Sequence, residues 1–152
     1  MEYKTLDLII EDNLAIIKFT RPAVLNALNS QMRAEILHAV KYSETRARCL
    51  VITGEGRAFC SGQDLGDRSS LSDIDLKKTL RDEYEPMLKA IYECEIPTIA
   101  AVNGVAAGAG ANLALCAAVV IATESASFIQ AFSKIGLIPD AGGSYFLPRK
   151  IG

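Results

Sequence analysis

Tryptophan is absent from this 152-residue chain, and histidine occurs once, at His38. The four cysteines, Cys49, Cys60, Cys94 and Cys116, stand far apart and form no CxxC pair. Dispersed thiols and one histidine offer no donor cluster for zinc, so a metal site is not expected. The thiols sit among apolar neighbours or at strand ends, where free cysteines are common, and Met1-Glu2-Tyr3-Lys4 starts no apolar leader. A cytoplasmic setting is the expectation. Excess charge is lacking too. With 16 basic and 18 acidic residues the net charge is −2, and no basic tail or stripe appears, so nucleic acid is not an expected partner.

Long uninterrupted apolar runs are also missing. Ile96 to Thr123 carries no charge and is long enough to cross a bilayer. Pro97, Asn103, Asn112 and the glycines nevertheless divide it into strand, loop, helix and strand, each too short to span. No membrane association is expected. What remains is an ordinary folded composition, 50% hydrophobic and 22% charged. A domain of this size buries roughly 68–70% of its unfolded-chain surface.

Local patterning predicts an α/β alternation after an opening hairpin. Leu6–Ile10 and Leu14–Phe19 are β-rich runs separated by Glu11-Asp12-Asn13. Asn29 is placed to cap a helix over 30–42 whose apolar face carries Met32, Ile36, Leu37 and Val40. Residues 49–53, 99–102 and 119–122 read as buried strands, and 127–130 as a further strand. A longer helix is expected through Ile74, Leu80, Tyr84, Leu88 and Ile91, with a kink or break at Pro86. The polar stretch 67–78 suits a surface segment near the mouth of a site.

Chemistry concentrates in two glycine-rich turns and one acid. The first turn is Gly56-Arg57-Ala58-Phe59-Cys60-Ser61-Gly62-Gln63-Asp64-Leu65. The second runs from Asn103 through Gly108-Ala109-Gly110 to Leu113 and opens a helix, whose free N–H groups favour an anion. Neither is a P-loop or a dinucleotide-binding turn, and the small residues also suit tight helix–sheet packing. Asp140, in Lys134-Ile135-Gly136-Leu137-Ile138-Pro139-Asp140-Ala141-Gly142-Gly143-Ser144, admits two readings. It is either the N-cap of the next helix or a carboxylate at the edge of an apolar pocket, raised by desolvation toward a useful base.

Together and in this order, these elements resemble the enoyl-CoA hydratase/isomerase (crotonase) family. The likeness runs from near Leu14 through Arg21-Pro22 and Asn26-Ala27-Leu28-Asn29 to Pro148-Arg149. It implies an α/β fold wound as a spiral of repeated β-β-α units. Residues 1–152 would then be the N-terminal, coenzyme-binding and catalytic core, without the C-terminal helices that normally help the family form homotrimers or hexamers. The implied partner is an acyl-CoA thioester, with no separate cofactor, coenzyme A being part of the substrate. Its carbonyl oxygen would lie between the backbone N–H groups of Gln63 and Ala109. Ala23, Leu25 and Ala27 would lie along the coenzyme, with Asp64 and Leu65 beside its adenine end. Ser61, Gly62, Gly108, Asn112, Phe132 and Pro139 complete the implied substrate contacts, and Arg57 either meets a phosphate or is an ordinary solvated arginine.

Hydratases of the family use two glutamates, and the matching positions here are Asn112 and Phe132, which are neither acids nor bases. Asp140 stands where the family's isomerases carry their acid. The run from Gln130 to Asp140 is similar to the ring-epoxide/enoyl-CoA isomerase branch of phenylacetate catabolism. An isomerase with Asp140 as its base is therefore expected. The alternatives are a hydratase with atypical residues, an acyl-CoA-binding module without catalysis, and an aryl-CoA dehalogenase, a group that uses the tryptophan this chain lacks. Tyr84 and Leu88 either line the acyl tunnel or belong to the core.

Overall fold

The computed structural model describes residues 2–66 and 75–152. The expected pocket-covering segment falls largely on residues 67–74, and Ile74 with it, outside the described residues.

The opening hairpin forms as expected from β1 (Leu6–Glu11) and β2 (Leu14–Phe19), paired antiparallel. Its turn places Asp12 and Asn13 at positive φ, a conformation that their short polar side chains tolerate. Helix α1 (Ser30–Glu44) starts where Asn29 Oδ1 accepts the Met32 N–H at 2.8 Å, and Met32, Ile36 and Val40 are buried.

Beyond α1 the chain winds by repetition. Strand β3 (Cys49–Gly54) leads into β4 (Ala58–Cys60), and β5 (Thr98–Val102) leads into β6 (Val105–Ala107). After helix α4 (Ala109–Cys116), β7 (Val119–Ala122) leads into β8 (Ser127–Ile129). The first member of each pair joins a five-stranded sheet of order β1-β2-β3-β5-β7, and the second joins a parallel sheet of order β4-β6-β8. This is the expected spiral of β-β-α units. The three-residue strands β4 and β6 are a correction, because both lie inside stretches read as glycine-rich loops.

Two burial expectations are also corrected. Along β3 buried Leu50 and Ile52 alternate with half-buried neighbours, so the strand is not fully covered on both faces. Strand β7 has a single neighbour in its sheet, and Val119 and Ile121 are exposed as a result. Every residue of α4, by contrast, is buried. That explains the charge-free run: a helix enclosed on all sides admits no charged face. At Gly110 an added Cβ would overlap the Cys60 carbonyl, so the small residue sets how closely α4 approaches β4.

The helix expected around Pro86 is present in three pieces. Helix α2 (Leu76–Thr79) passes through a π-helical turn (Leu80–Tyr84) into α3 (Glu85–Tyr92). Pro86 sits at the start of α3, where its missing N–H costs little, and the widened turn just upstream takes up the break. Among the described residues, no helix is long and apolar enough to cross a membrane.

Candidate active site

One wall of the site is stitched from two segments distant in sequence. After β2 the chain makes a short 3-10 turn (Pro22–Val24), and Leu25 and Asn26 follow at positive φ. The Ser61 N–H donates to Leu25 O, the Leu28 N–H to Gly62 O at 2.7 Å and the Asp64 N–H to Leu28 O. Asn26, fully buried, accepts the Arg21 N–H and donates to the carbonyls of Glu55 and Ala58. The expected residues Ala23, Leu25, Ala27, Ser61, Gly62 and Asp64 are thereby brought together. Asp64 is ion-paired with Arg21 at 2.8 Å, while Leu65 and Arg57 are exposed.

The two glycine-rich turns touch. Gly62 has φ +96°, and an added Cβ there would lie 2.8 Å from Ala107 O and 3.4 Å from the Ala109 nitrogen. Gly108, with φ 51° and ψ −125°, turns the chain from β6 into α4 in a conformation open to glycine alone. The next N–H, Ala109, is the first of the helix and has no intrahelical partner. Among the described residues neither the Gln63 N–H nor the Ala109 N–H meets an acceptor. Two adjacent turns thus each present an uncommitted donor. Cys60, beside them, is no candidate nucleophile, because burial pushes its thiol up to about 12.

Asp140 does not cap α5 (Gly143–Ile151), which corrects one of its two readings: the N-cap is Gly142, at φ 77°. The part of Asp140 bonded into the fold is its backbone carbonyl, which accepts the Gly143 N–H at 2.7 Å and Asn112 Nδ2 at 2.8 Å. Its Oδ1 is buried and has no hydrogen-bond partner. Burial raises the Asp140 pKa above the usual carboxylate range, opposed only by a bond from its own N–H. Ala141, next in the chain, is held at φ 45°, strained for a residue with a Cβ.

Asn112 and Phe132, expected as substrate contacts, are both buried. Asn112 is fully buried and bonded at both amide atoms, donating to Asp140 O and accepting from Gln130 Nε2 at 2.8 Å. It packs so closely on Gly143 that an added Cβ there would overlap it. Asn112 therefore fixes the loop that carries the acid. Phe132, 6% exposed, packs near Gly108, where an added Cβ would lie 3.8 Å from its ring.

A cleft of about 470 Å³ opens beside Asp140. Leu80, Tyr84 and Leu88 line one side, and Pro139, Asp140 and Phe146 line another. Tyr84 and Leu88, expected either to line an acyl tunnel or to belong to the core, are buried and also line the cleft. Gln63 and Ala109 do not line it. Gln63 is linked to it by Tyr84, whose hydroxyl donates to Gln63 Oε1 at 2.7 Å.

Sequence reasoning missed Arg33, Glu83 and the polar part of Tyr84. Arg33 is 1% exposed, ion-paired with Glu83 at 2.5 Å, and lies over the Tyr84 ring at 4.9 Å. The available signal was its place on the 33–36–40 stripe, where a solvated arginine would interrupt the buried face of α1.

The model of the enoyl-CoA hydratase/isomerase family matches residues 9–152. A Rhodobacter capsulatus protein named probable enoyl-CoA hydratase is 57% identical over 152 residues, which are 100% of this chain and 59% of that protein. The 1,2-epoxyphenylacetyl-CoA isomerase of Escherichia coli K12 is 45% identical over 94% of this chain and 56% of its own length. Among solved structures, an enoyl-CoA hydratase/isomerase from Mycobacterium abscessus superposes with a TM-score of 0.89 at 36% identity. It is matched over 97% of this chain and 59% of its own. The chain therefore spans somewhat more than half the length of the proteins it resembles.

Proposed function

The chain belongs to the enoyl-CoA hydratase/isomerase family, and from that premise we propose that it shifts the double bond of an enoyl-CoA thioester by proton transfer through Asp140. The observation that carries this reading is Asp140, which lines the cleft and whose carboxyl has one buried, unpartnered oxygen and a raised pKa. A desolvated carboxylate is a stronger base than a hydrated one, and its pKa moves toward the working range. Glu85, the other acid on the cleft among the described residues, is exposed and paired with Lys89 at 2.7 Å.

In the proposed step Asp140 takes a proton from the carbon next to the thioester carbonyl of a 3-enoyl chain. The electron pair delocalises onto the carbonyl oxygen on one side and into the C3–C4 double bond on the other, giving a dienolate that can be protonated at C4. Asp140 then returns the proton at C4, leaving the double bond between C2 and C3, so no atom or electron is gained or lost. The Gln63 and Ala109 N–H groups are the donors that hold the negative oxygen, and one such donor is worth about 2.7–4 kcal/mol in well-studied enzymes. A single carboxylate suffices for this exchange. Water addition by two carboxylates finds no second acid at Asn112 or Phe132.

The test is Asp140→Asn in the polypeptide that carries this chain. Isomerisation should fall by roughly 10²–10⁴-fold, the range that general acid–base groups supply, with acyl-CoA binding retained. Solvent deuterium should enter the substrate only while Asp140 is present. Unchanged turnover would overturn the reading. Hydration is the second reading, favoured by the name of the 57% identical relative. A 3-hydroxyacyl-CoA product that survives Asp140→Asn would establish it instead.

A further inference from the structure

We propose that Arg33 and Tyr84 are positioning residues that fix the Gln63 peptide as an oxyanion donor, by gripping the Gln63 side chain from two elements at once. This rests on the reading of the Gln63 N–H as such a donor. The Gln63 Oε1 atom accepts Arg33 Nη1 at 3.0 Å and the Tyr84 hydroxyl at 2.7 Å, which fills both of its lone pairs. On the other side of the carboxamide, Nε2 donates to Asp64 O at 3.1 Å.

Arg33 reaches the same peptide by a second path. Its Nη1 also donates to Leu28 O at 2.7 Å, and Leu28 is the residue bridged to Gln63 through Gly62 O and the Asp64 N–H. The guanidinium is held by Glu83, whose Oε2 accepts from Nε at 2.9 Å and from Nη2 at 2.5 Å. Glu83 and Tyr84 both lie in the π-helical turn, a kind of irregularity that recurs at functional sites. Burial keeps the Tyr84 hydroxyl protonated and therefore a donor, although the Arg33 charge opposes this. The Tyr84 ring lines the cleft beside Asp140. An acyl group in that cleft thus rests on the side chain that sets the donor peptide. A donor peptide displaced by about 1 Å loses up to roughly 10²-fold in rate, so the grip acts on the chemical step.

Replacing Arg33 would remove a fully buried guanidinium bonded to Glu83, Gln63 and Leu28 O and risks the fold, so the test works from the acceptor side. Gln63→Met removes the acceptor while keeping the peptide N–H, Gln63→Glu keeps the acceptor, and Tyr84→Phe removes one donor. The probe is crotonyl-CoA carrying ¹³C at the thioester carbonyl, whose stretching frequency on the protein reports hydrogen bonding without turnover. In the polypeptide that carries this chain, Gln63→Met should lower kcat by up to roughly 10²-fold with KM little changed. It should also return the bound carbonyl stretch toward its free value. Tyr84→Phe should do the same to a smaller degree, and Gln63→Glu should recover most of both losses. A carbonyl stretch unmoved in Gln63→Met and Tyr84→Phe overturns the positioning role, as does an equal loss in all three variants. A wild-type protein that shows no carbonyl shift on binding overturns the oxyanion reading and this proposal together. Asp140→Asn should leave the shift intact whichever reaction the protein performs.

Discussion

Glu35 on α1 and Asp140 before α5 are both acids withdrawn from water, and the fold surrounds them in opposite ways. Glu35, 3% exposed, accepts the Lys4 N–H at 3.0 Å, the Thr5 N–H at 2.9 Å and Gln31 Nε2 at 3.0 Å. The Thr5 hydroxyl adds a further bond at 2.5 Å. Burial alone would raise its pKa, but these bonds outweigh burial and hold it below the usual range. Asp140 is bonded through its backbone carbonyl while its carboxyl keeps a buried, unpartnered oxygen and a raised pKa. The same residue chemistry therefore serves as a fastener in one region and as a reserve of reactivity in the other. What separates them is where the hydrogen bonds land, on the side chain or on the backbone behind it.

The sharpest way to break the contrast is to remove the fastener. Glu35→Ala should strand the Lys4 and Thr5 donors and cost about 2–4 kcal/mol of stability in denaturant unfolding, with the Asp140 chemistry intact in the folded fraction. In the wild type the Glu35 contribution is present above its ordinary pKa near 4.5. It is lost as pH falls through the lower folded value. A variant as stable as the wild type at neutral pH would show that the bonds fasten nothing.

Asp140→Asn should move stability in the other direction. The folded pKa of Asp140 is raised, so its ionisation costs the native state stability as pH rises from about 3.8 through that value. The amide carries no such cost. The variant should melt at a higher temperature than the wild type near neutral pH, and the gain should vanish in acid below about 3.8. Thermal unfolding across pH checks the sign, and an equal Tm at every pH would remove the distinction drawn between the two acids.

The smallest effect is expected at Ala141. Its φ of 45° is open to glycine at no steric cost. Ala141→Gly trades relieved strain against added chain entropy and should change stability by no more than about 0.5–1 kcal/mol, toward greater stability. A loss of several kcal/mol would mean that the Ala141 methyl, itself buried, packs rather than strains.

Much of the fold was legible because it is local. The Asn29 cap, the hairpin turn at Asp12-Asn13 and the buried face of Met32, Ile36 and Val40 are set by neighbours within a few residues. The spiral and both oxyanion candidates came from family likeness, since β4 and β6 are too short and too embedded in glycine turns to announce themselves as strands. The exposure of Val119 and Ile121 was hidden for a different reason. An apolar run reads the same at a sheet edge as at its centre, and only strand order distinguishes them. The hydrogen bonds of Asn112 and Arg33 were not legible because their partners, Asp140 and Gln130 for one and Glu83 and Gln63 for the other, are distant in sequence. Polar residues declare their partners only after folding.

The π-helical turn from Leu80 to Tyr84 bears on how this protein tolerates changes of length. The Glu85 N–H donates to Leu80 O, one position beyond the α-helical partner, so the turn holds one residue more than a regular helix would. Each residue of an α-helix advances the face by about 100°. Deleting one residue here would regularise the helix and at the same time swing its two halves against each other. Tyr84 and Glu83 would then lose their register with Gln63 and Arg33 while Leu88 and Ile91 kept theirs with the core. The extra residue acts as a phase shift, letting one continuous rod serve two surfaces that a uniform helix would have to choose between.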